Sequence, residues 1–273
     1  MGYLAIRNDE TIRVFLNEIS TLIIEDTSVS LTASLLCALA KKKIKVIFCD
    51  EKRNPYAELV SYYGAHDTSS KYREQIFWQE SSKQTIWTAI VRNKIQQQCR
   101  HLQMHHFQEF RLLEQYIQEL EINDRTNREA HAAKVYFNAL FGKDFSRTAE
   151  IPVNDALNYG YAIILSAFNR EIVANGYMTQ LGIFHDNQFN PFNLASDFME
   201  PFRVLVDRKV VELDVKEFNH EVKMELVNIL NGRVIIDGTL QYVDNAIRIY
   251  CKSLFDALQH DAASEIKFYQ HEL

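Results

Sequence analysis

Cysteine is sparse in this sequence and unpatterned. Cys37, Cys49, Cys99 and Cys251 stand far apart, with no CxxC pair and no zinc-ligand spacing, which excludes a zinc-finger frame and a disulfide scaffold. Three of them (Cys37, Cys49 and Cys251) have apolar neighbours and are expected as reduced thiols of a cytoplasmic protein. No apolar run reaches the roughly 20 residues that span a bilayer. No export-signal core follows Met1, so neither membrane insertion nor secretion is expected. Low-complexity tracts and fixed-period repeats are also missing. With 47% hydrophobic residues in 273, the chain can bury a substantial core in one or two domains. A net charge of −6 excludes coating nucleic acid with the whole surface. None of the familiar phosphate, nucleophile or zinc motifs occurs: no GxxxxGK(S/T), no GxGxxG, no GxSxG and no HExxH.

What is present divides into two parts, an α+β arrangement of a small N-terminal β-rich domain followed by a larger all-α catalytic domain. Residues 3–7, 11–16 and 21–25 are short runs of Ile, Val, Leu and Thr and are expected as strands. Ser28 or Ser30 can cap a helix over 31–42, and 45–49 is a further strand. This places a β domain at 1–52, a polar linker at 53–70 announced by the break over 50–55, and a helical domain at 71–273. Within it, helices are expected over 71–98, 105–120, 154–175 and 242–258. A further helix carries Glu129, is capped by Thr126 or Asn127, and stops at Gly142. Residues 234–236 followed by Asp237-Gly238 suggest a minor hairpin.

The most informative stretch is LGIFHDNQFNPFNLASDFMEPFR, residues 181–203. It sets His185 in a loop broken by Gly, Asn and Pro, then Asp197 and Glu200 a helical turn apart on one face. Pro201 cannot donate to the Asp197 carbonyl, so a kink is expected beside the acids. The Glu129 helix has small neighbours, Ala130, Ala132 and Ala133, that let another element come close enough for Glu129 to join His185 and Glu200 in space. An imidazole and two carboxylates suit Mn²⁺ or Mg²⁺. On residue types alone, a loop histidine is more often a hydrogen-bonded structural group, and helical acids more often form a solvated face or ion pairs.

Four blocks in order, SVSLTASLLCALAKKKIKVIFCDEKRNP, REAHAAKVYFNALFG, PVNDALNYGYAI and LGIFHDNQFNPFNLASDFMEPFRVLVD, resemble the CRISPR-associated spacer-acquisition integrases, the Cas-one family, in its type II form. The resemblance covers nearly the whole chain. It implies Glu129, His185 and Glu200 as metal ligands and catalytic residues, with Mg²⁺ or Mn²⁺ as cofactor. It also implies joining of the 3′-hydroxyl ends of short foreign DNA into a CRISPR repeat array by transesterification, a reaction for which the missing nucleotide site is no obstacle. Implied partners are double-stranded DNA with 3′ overhangs, CRISPR repeat DNA, a second copy of the chain and a small ferredoxin-like adaptation partner dimer. The type II form adds an RNA-guided effector nuclease and a ring-shaped DNA-binding protein. Ala130 stands where many relatives have glycine, and the chain begins about one strand later than the family's sheet.

DNA contacts are harder to place. Residues 71–100 carry Lys71, Arg73, Lys83, Arg92, Lys94 and Arg100 against Glu74 and Glu80, a net +4 that can form a stripe for phosphate backbone. Charge alone fits a solvated helix face better. Asn158, Tyr159 and Tyr161 can reach a metal cleft, although aromatics on an apolar helix usually belong to a core. Arg203 either neutralises a phosphate or pairs with Asp197 or Asp207. Tyr3, Tyr62, Tyr63 and Tyr72 can stack on splayed bases or simply pack between domains. Two other readings stay open: a non-catalytic DNA-binding scaffold, and a metal-dependent branched-DNA nuclease without strand transfer.

Overall fold

The computed structural model describes residues 2–8, 10–61 and 65–271, so Tyr62 and Tyr63 lie outside the described residues. The amino-terminal part opens with an antiparallel hairpin of β1 (Tyr3–Arg7) and β2 (Thr11–Phe15). Then come β3 (Thr21–Ile24), helix α1 (Ala33–Lys41) and β4 (Lys45–Cys49), a parallel strand–helix–strand unit. Thr32, not Ser28 or Ser30, caps α1 by accepting from the Leu35 N–H at 3.2 Å. A strand β5 (Pro55–Glu58) returns antiparallel to β4 and gives the order β3-β4-β5. It occupies the start of the stretch expected as a linker. Leading proline is tolerated there because β5 is an edge strand. Among the described residues β1 pairs with β2 alone, which leaves its outer edge free.

β4 alternates between two cores, as the two-residue period of a strand requires. Val46 joins Leu4, Leu16, Leu39 and Ile44 in a small core under α1, whereas Ile47 belongs to the large core of the helical part. Polar ties cross the same boundary. Lys43 Nζ donates to the Ala174 carbonyl at 3.3 Å, and Lys223 Nζ to the Lys52 carbonyl at 2.8 Å.

The helical part begins with α2 (Thr68–Ile76) and α3 (Glu80–Met104). Sequence periodicity suggests one helix over 71–98. The chain instead breaks at 77–79, where Trp78 turns inward against Tyr177 and Phe255 while Phe77 stays exposed. α3 is the central element and buries Ile86, Trp87, Ile90, Val91, Ile95 and Leu102. Around it lie α4 (Phe110–Gln118), α5 (Arg128–Phe141), α6 (Pro152–Ala174), α7 (Asn193–Phe198), α8 (Arg203–Leu213) and α9 (His220–Val227). Gly160 of α6 faces Val206 of α8 so closely that a Cβ would overlap its side chain. β6 (Arg233–Ile236) and β7 (Thr239–Tyr242) form the expected hairpin, with positive φ at both Asp237 and Gly238 as a type I′ turn demands. After α10 (Val243–His260), β8 (Gln270–His271) adds a third strand against β6, which periodicity did not suggest.

Candidate metal centre

The site grows from α3 outward. Lys94 sits on a helix face that is otherwise packed, and only 7% of the residue is exposed. A lysine so placed needs compensating charge. Its ammonium donates to Glu129 of α5 and, at 2.5 Å, to Glu200 in the turn between α7 and α8. Two oxygens bonded to one nitrogen lie within about 6 Å of each other, so Lys94 brings the two carboxylates together. Glu200 also accepts from Arg203 Nε at 2.9 Å. Burial by itself raises the Glu200 carboxyl, but Arg203 and Lys94 outweigh it and hold the group below its usual range. Burial likewise opposes the Lys94 ammonium, and Glu129 and Glu200 reverse that and raise it.

Glu129 is presented by a cap that sequence reasoning misplaced. Asn127 takes the cap position of α5, but neither its side chain nor that of Thr126 makes the cap hydrogen bond. The Asp124 carboxylate accepts from the N–H groups of Arg128 (2.7 Å) and Glu129 (3.0 Å). Positive φ at Asn123, Asp124 and Asn127 coils the chain back far enough for this. Burial raises the Asp124 carboxyl.

The two acids of the 181–203 stretch do not face one ion together. Pro201 ends the α-helix, and residues 200–202 continue as a 3₁₀ turn. Asp197, wholly buried, points back into the loop before α7. Its carboxylate accepts from the N–H groups of Ile183 (2.7 Å), Phe184 (3.0 Å) and His185 (3.1 Å), and lies 2.5 Å from His185 Nδ1. Gly182 permits this wrap, since a Cβ there would overlap the His185 carbonyl oxygen and crowd Asp197. The hydrogen bond to Asp197 raises the His185 pKa. It also engages Nδ1, leaving Nε2 as the nitrogen able to ligate. Trp87, two turns before Lys94 on α3, meets the His185 ring edge-on at 5.7 Å and stacks on Phe184 at 4.3 Å. The His185 side chain is 43% exposed, so the ring can be reached from solvent.

Among the described residues, no three His, Cys, Asp or Glu side chains are close enough to enclose a metal ion. Lys94 holds two of the donors and Asp197 the third. The donor set nevertheless fits a hard to borderline divalent cation: two carboxylates already gathered around positive charge, and an imidazole fixed through its second nitrogen.

The expected DNA contacts scatter. Lys94 is no surface contact, being buried and bonded to both acids. Lys71 pairs with Glu74 at 3.3 Å, Lys83 with Glu80 at 3.6 Å, and Arg92 donates to the Ile117 carbonyl at 2.9 Å. At roughly 100° per residue, Arg92 falls on the side of α3 opposite Lys83, so no single stripe exists. Tyr159 is buried against Phe218 and Lys223, which removes it as a DNA contact, and Tyr161 is buried with its hydroxyl on Asp207. Arg203 is bound to Glu200 and lies over the Tyr161 ring at 4.7 Å. Arg73 and Asn158 are exposed, with Asn158 accepting from Arg147 at 2.7 Å.

The family model described as CRISPR associated protein Cas1 matches residues 2–222. The chain belongs to the Cas1 family. A CRISPR-associated endonuclease Cas1 from Neisseria meningitidis is 33% identical over 97% of this chain and 92% of its own length. Among solved structures, a casposase bound to integration product has the same fold with a TM-score of 0.76 at 17% identity, covering 92% of this chain and 82% of its own. A Cas6-RT-Cas1–Cas2 complex contains a longer chain, 34% of which is covered by 97% of this one, at 18% identity and a TM-score of 0.72. In this Cas1 protein, residue patterns did not assign Asp197, Gly182, Trp87 and Lys94 to the metal centre. The one available signal was an unpaired acid, Asp197, twelve residues after the loop histidine.

Proposed function

We propose that this Cas1 protein is a metal-dependent DNA integrase, joining 3′-hydroxyl ends of short foreign duplexes to the border of a CRISPR repeat. The observation that carries the reading is the meeting of Glu129 and Glu200 on one buried cation, beside a histidine fixed by Asp197. Glu129, Glu200 and His185 Nε2 would hold Mg²⁺ or Mn²⁺. Such an ion, when bound, polarises a phosphoryl oxygen and stabilises the charge that develops on it.

The chain's own residues supply the framework. Asp197 fixes the ring and tautomer of His185, and Trp87 fixes the plane of its contact. Arg203 keeps Glu200 ionised. In the reaction one phosphorus–oxygen bond forms as another breaks, so no nucleotide triphosphate is consumed. The neighbours named for a Cas1–Cas2 complex and for an integration product support a Cas adaptation partner and a DNA substrate. In the proposed assembly a dimer of this chain joins a small ferredoxin-like partner and DNA with 3′ overhangs. The free edge of β1, with Tyr3, Ile6 and Ile12 exposed on the hairpin, suits pairing between copies.

The test is incubation with a short 3′-overhang duplex, a repeat-bearing plasmid, the small partner and Mn²⁺. Covalent joining of duplex to plasmid is expected. Nicking without joining would make the protein a nuclease, and binding without either would make it a scaffold.

A further inference from the structure

The least expected residue in the site is Lys94. On α3 it lies between buried apolar Ile90 and Val91 on one side and buried polar Gln97, Gln98 and His101 on the other, and it is the one lysine, arginine or acid that this helix buries. It carries the positive charge shared by Glu129 and Glu200, which come from elements far apart in the sequence. Glu200 is 6% exposed at its side chain and Lys94 8%, so water screens Glu200 little, whereas Glu129, 29% exposed, is the side of the pair open to solvent. Arg203 pairs with Glu200 alone of the two acids. Among the described residues, Lys94 is the side chain hydrogen-bonded to both.

We propose that the Lys94 ammonium is the resident cation of the Glu129–Glu200 pair, and that a divalent ion enters this site by displacing it. The inference rests on the metal-site reading above and goes beyond it, because it assigns the competitor. A divalent cation and an ammonium cannot bond the same oxygens from the same space. Lys94 holds α3, α5 and the 200–202 turn together while it occupies that space. Its flexible four-carbon stem lets the charged end withdraw without moving α3. The site therefore keeps its acids gathered without a metal, and metal affinity is lower than the bare donor set would give.

A purely structural ion pair predicts something different. If Lys94 only braces the helices, removing it loosens the carboxylates and weakens metal binding. The test uses the full-length protein and Mn²⁺ alone, with free Mn²⁺ followed by electron paramagnetic resonance. Lys94→Met is expected to bind Mn²⁺ roughly tenfold more tightly than the parent. Lys94→Arg, which keeps the charge, should stay within about twofold of it. Melting temperature gives a second readout. In chelator Lys94→Met should melt below the parent, and saturating Mn²⁺ should raise it by more degrees than it raises the parent. Lys94→Gln serves if the Met variant does not fold, since its amide can still donate to one acid without charge.

Equal or weaker Mn²⁺ binding by the neutral variants overturns displacement while leaving the metal site intact. Absence of Mn²⁺ binding in the parent and all variants overturns both readings. Glu129→Gln in the Lys94→Met background should abolish the tight binding, and tight binding that survives it would place the ion elsewhere and end the proposal.

Discussion

Asp197 shows how much one side chain can settle. By accepting three backbone N–H groups and one ring nitrogen it fixes both the loop and the imidazole within it. Gly182 is the counterpart, because the loop passes too close to that carboxylate for any Cβ. Gly182→Ala is therefore expected to cost about 1–3 kcal/mol of stability and to displace His185. Strand transfer should fall with it, and parental joining rates in the Gly182→Ala variant would rule this out. Asp207 tests burial directly. Its carboxyl is wholly buried under Tyr161, and burial pushes it up to about 6. Between its unfolded value near 3.8 and 6 the folded state holds the proton that the unfolded state has lost. Raising pH through that window therefore destabilises the fold, and above it the effect is constant. Asp207→Asn lacks this slope, so urea titrations from pH 4 to 6 should shift in its favour by on the order of 2–3 kcal/mol. A pH-independent difference between the two proteins would contradict it. At this scale the sequence was partly legible. Spacing placed Asp197 and Glu200 on one face and Pro201 announced a kink beside them, yet neither showed that Asp197 would turn onto the His185 loop while Glu200 met Lys94. Nor did a lysine inside a net-positive stretch reveal that it points inward, since charge counts carry no direction.

Helices and strands were easier to read than their ends. The apolar period found α6 and α10 to within two residues, because each is long and buried over much of its circumference. Caps were misread at α1 and α5, where several Ser, Thr, Asn and Asp residues compete and only backbone geometry decides among them. At α5 the consequence is functional, for the cap and the candidate ligand are held by one carboxylate. Asp124→Ala should lower stability by about 1–2 kcal/mol and the melting temperature by roughly 2–8 °C, whereas Asp124→Asn should recover most of the loss. No change in melting temperature for the Ala variant would remove Asp124 as the cap. β5 escaped notice because the polar run over 50–55 reads as a break, and a proline at the start of an edge strand gives the same signature as a linker.

For the whole molecule, charge and chemistry separate. A net charge of −6 leaves nonspecific DNA affinity to local basic groups, while the candidate centre sits on α3, α5 and the loop before α7. His185→Ala removes a side chain without altering those basic groups. Its expected effect is a loss of at least about 100-fold in strand transfer with duplex affinity held within about twofold at matched salt. Gel-shift titrations beside joining assays would check it. Parental joining by that variant would return His185 to a structural role.

The strand that joins the two cores has its own implication. Along β4, Val46 belongs to the amino-terminal core, while Ile47 belongs to the helical one. The frontier between the units therefore runs lengthwise through a strand and does not fall at a peptide bond. A chimaera that exchanges amino-terminal units between relatives could not be designed by choosing a cut site alone. Alternate residues of one strand would have to come from different parents, and a clean splice near residue 52 would give one parent's packing surface to the other's body.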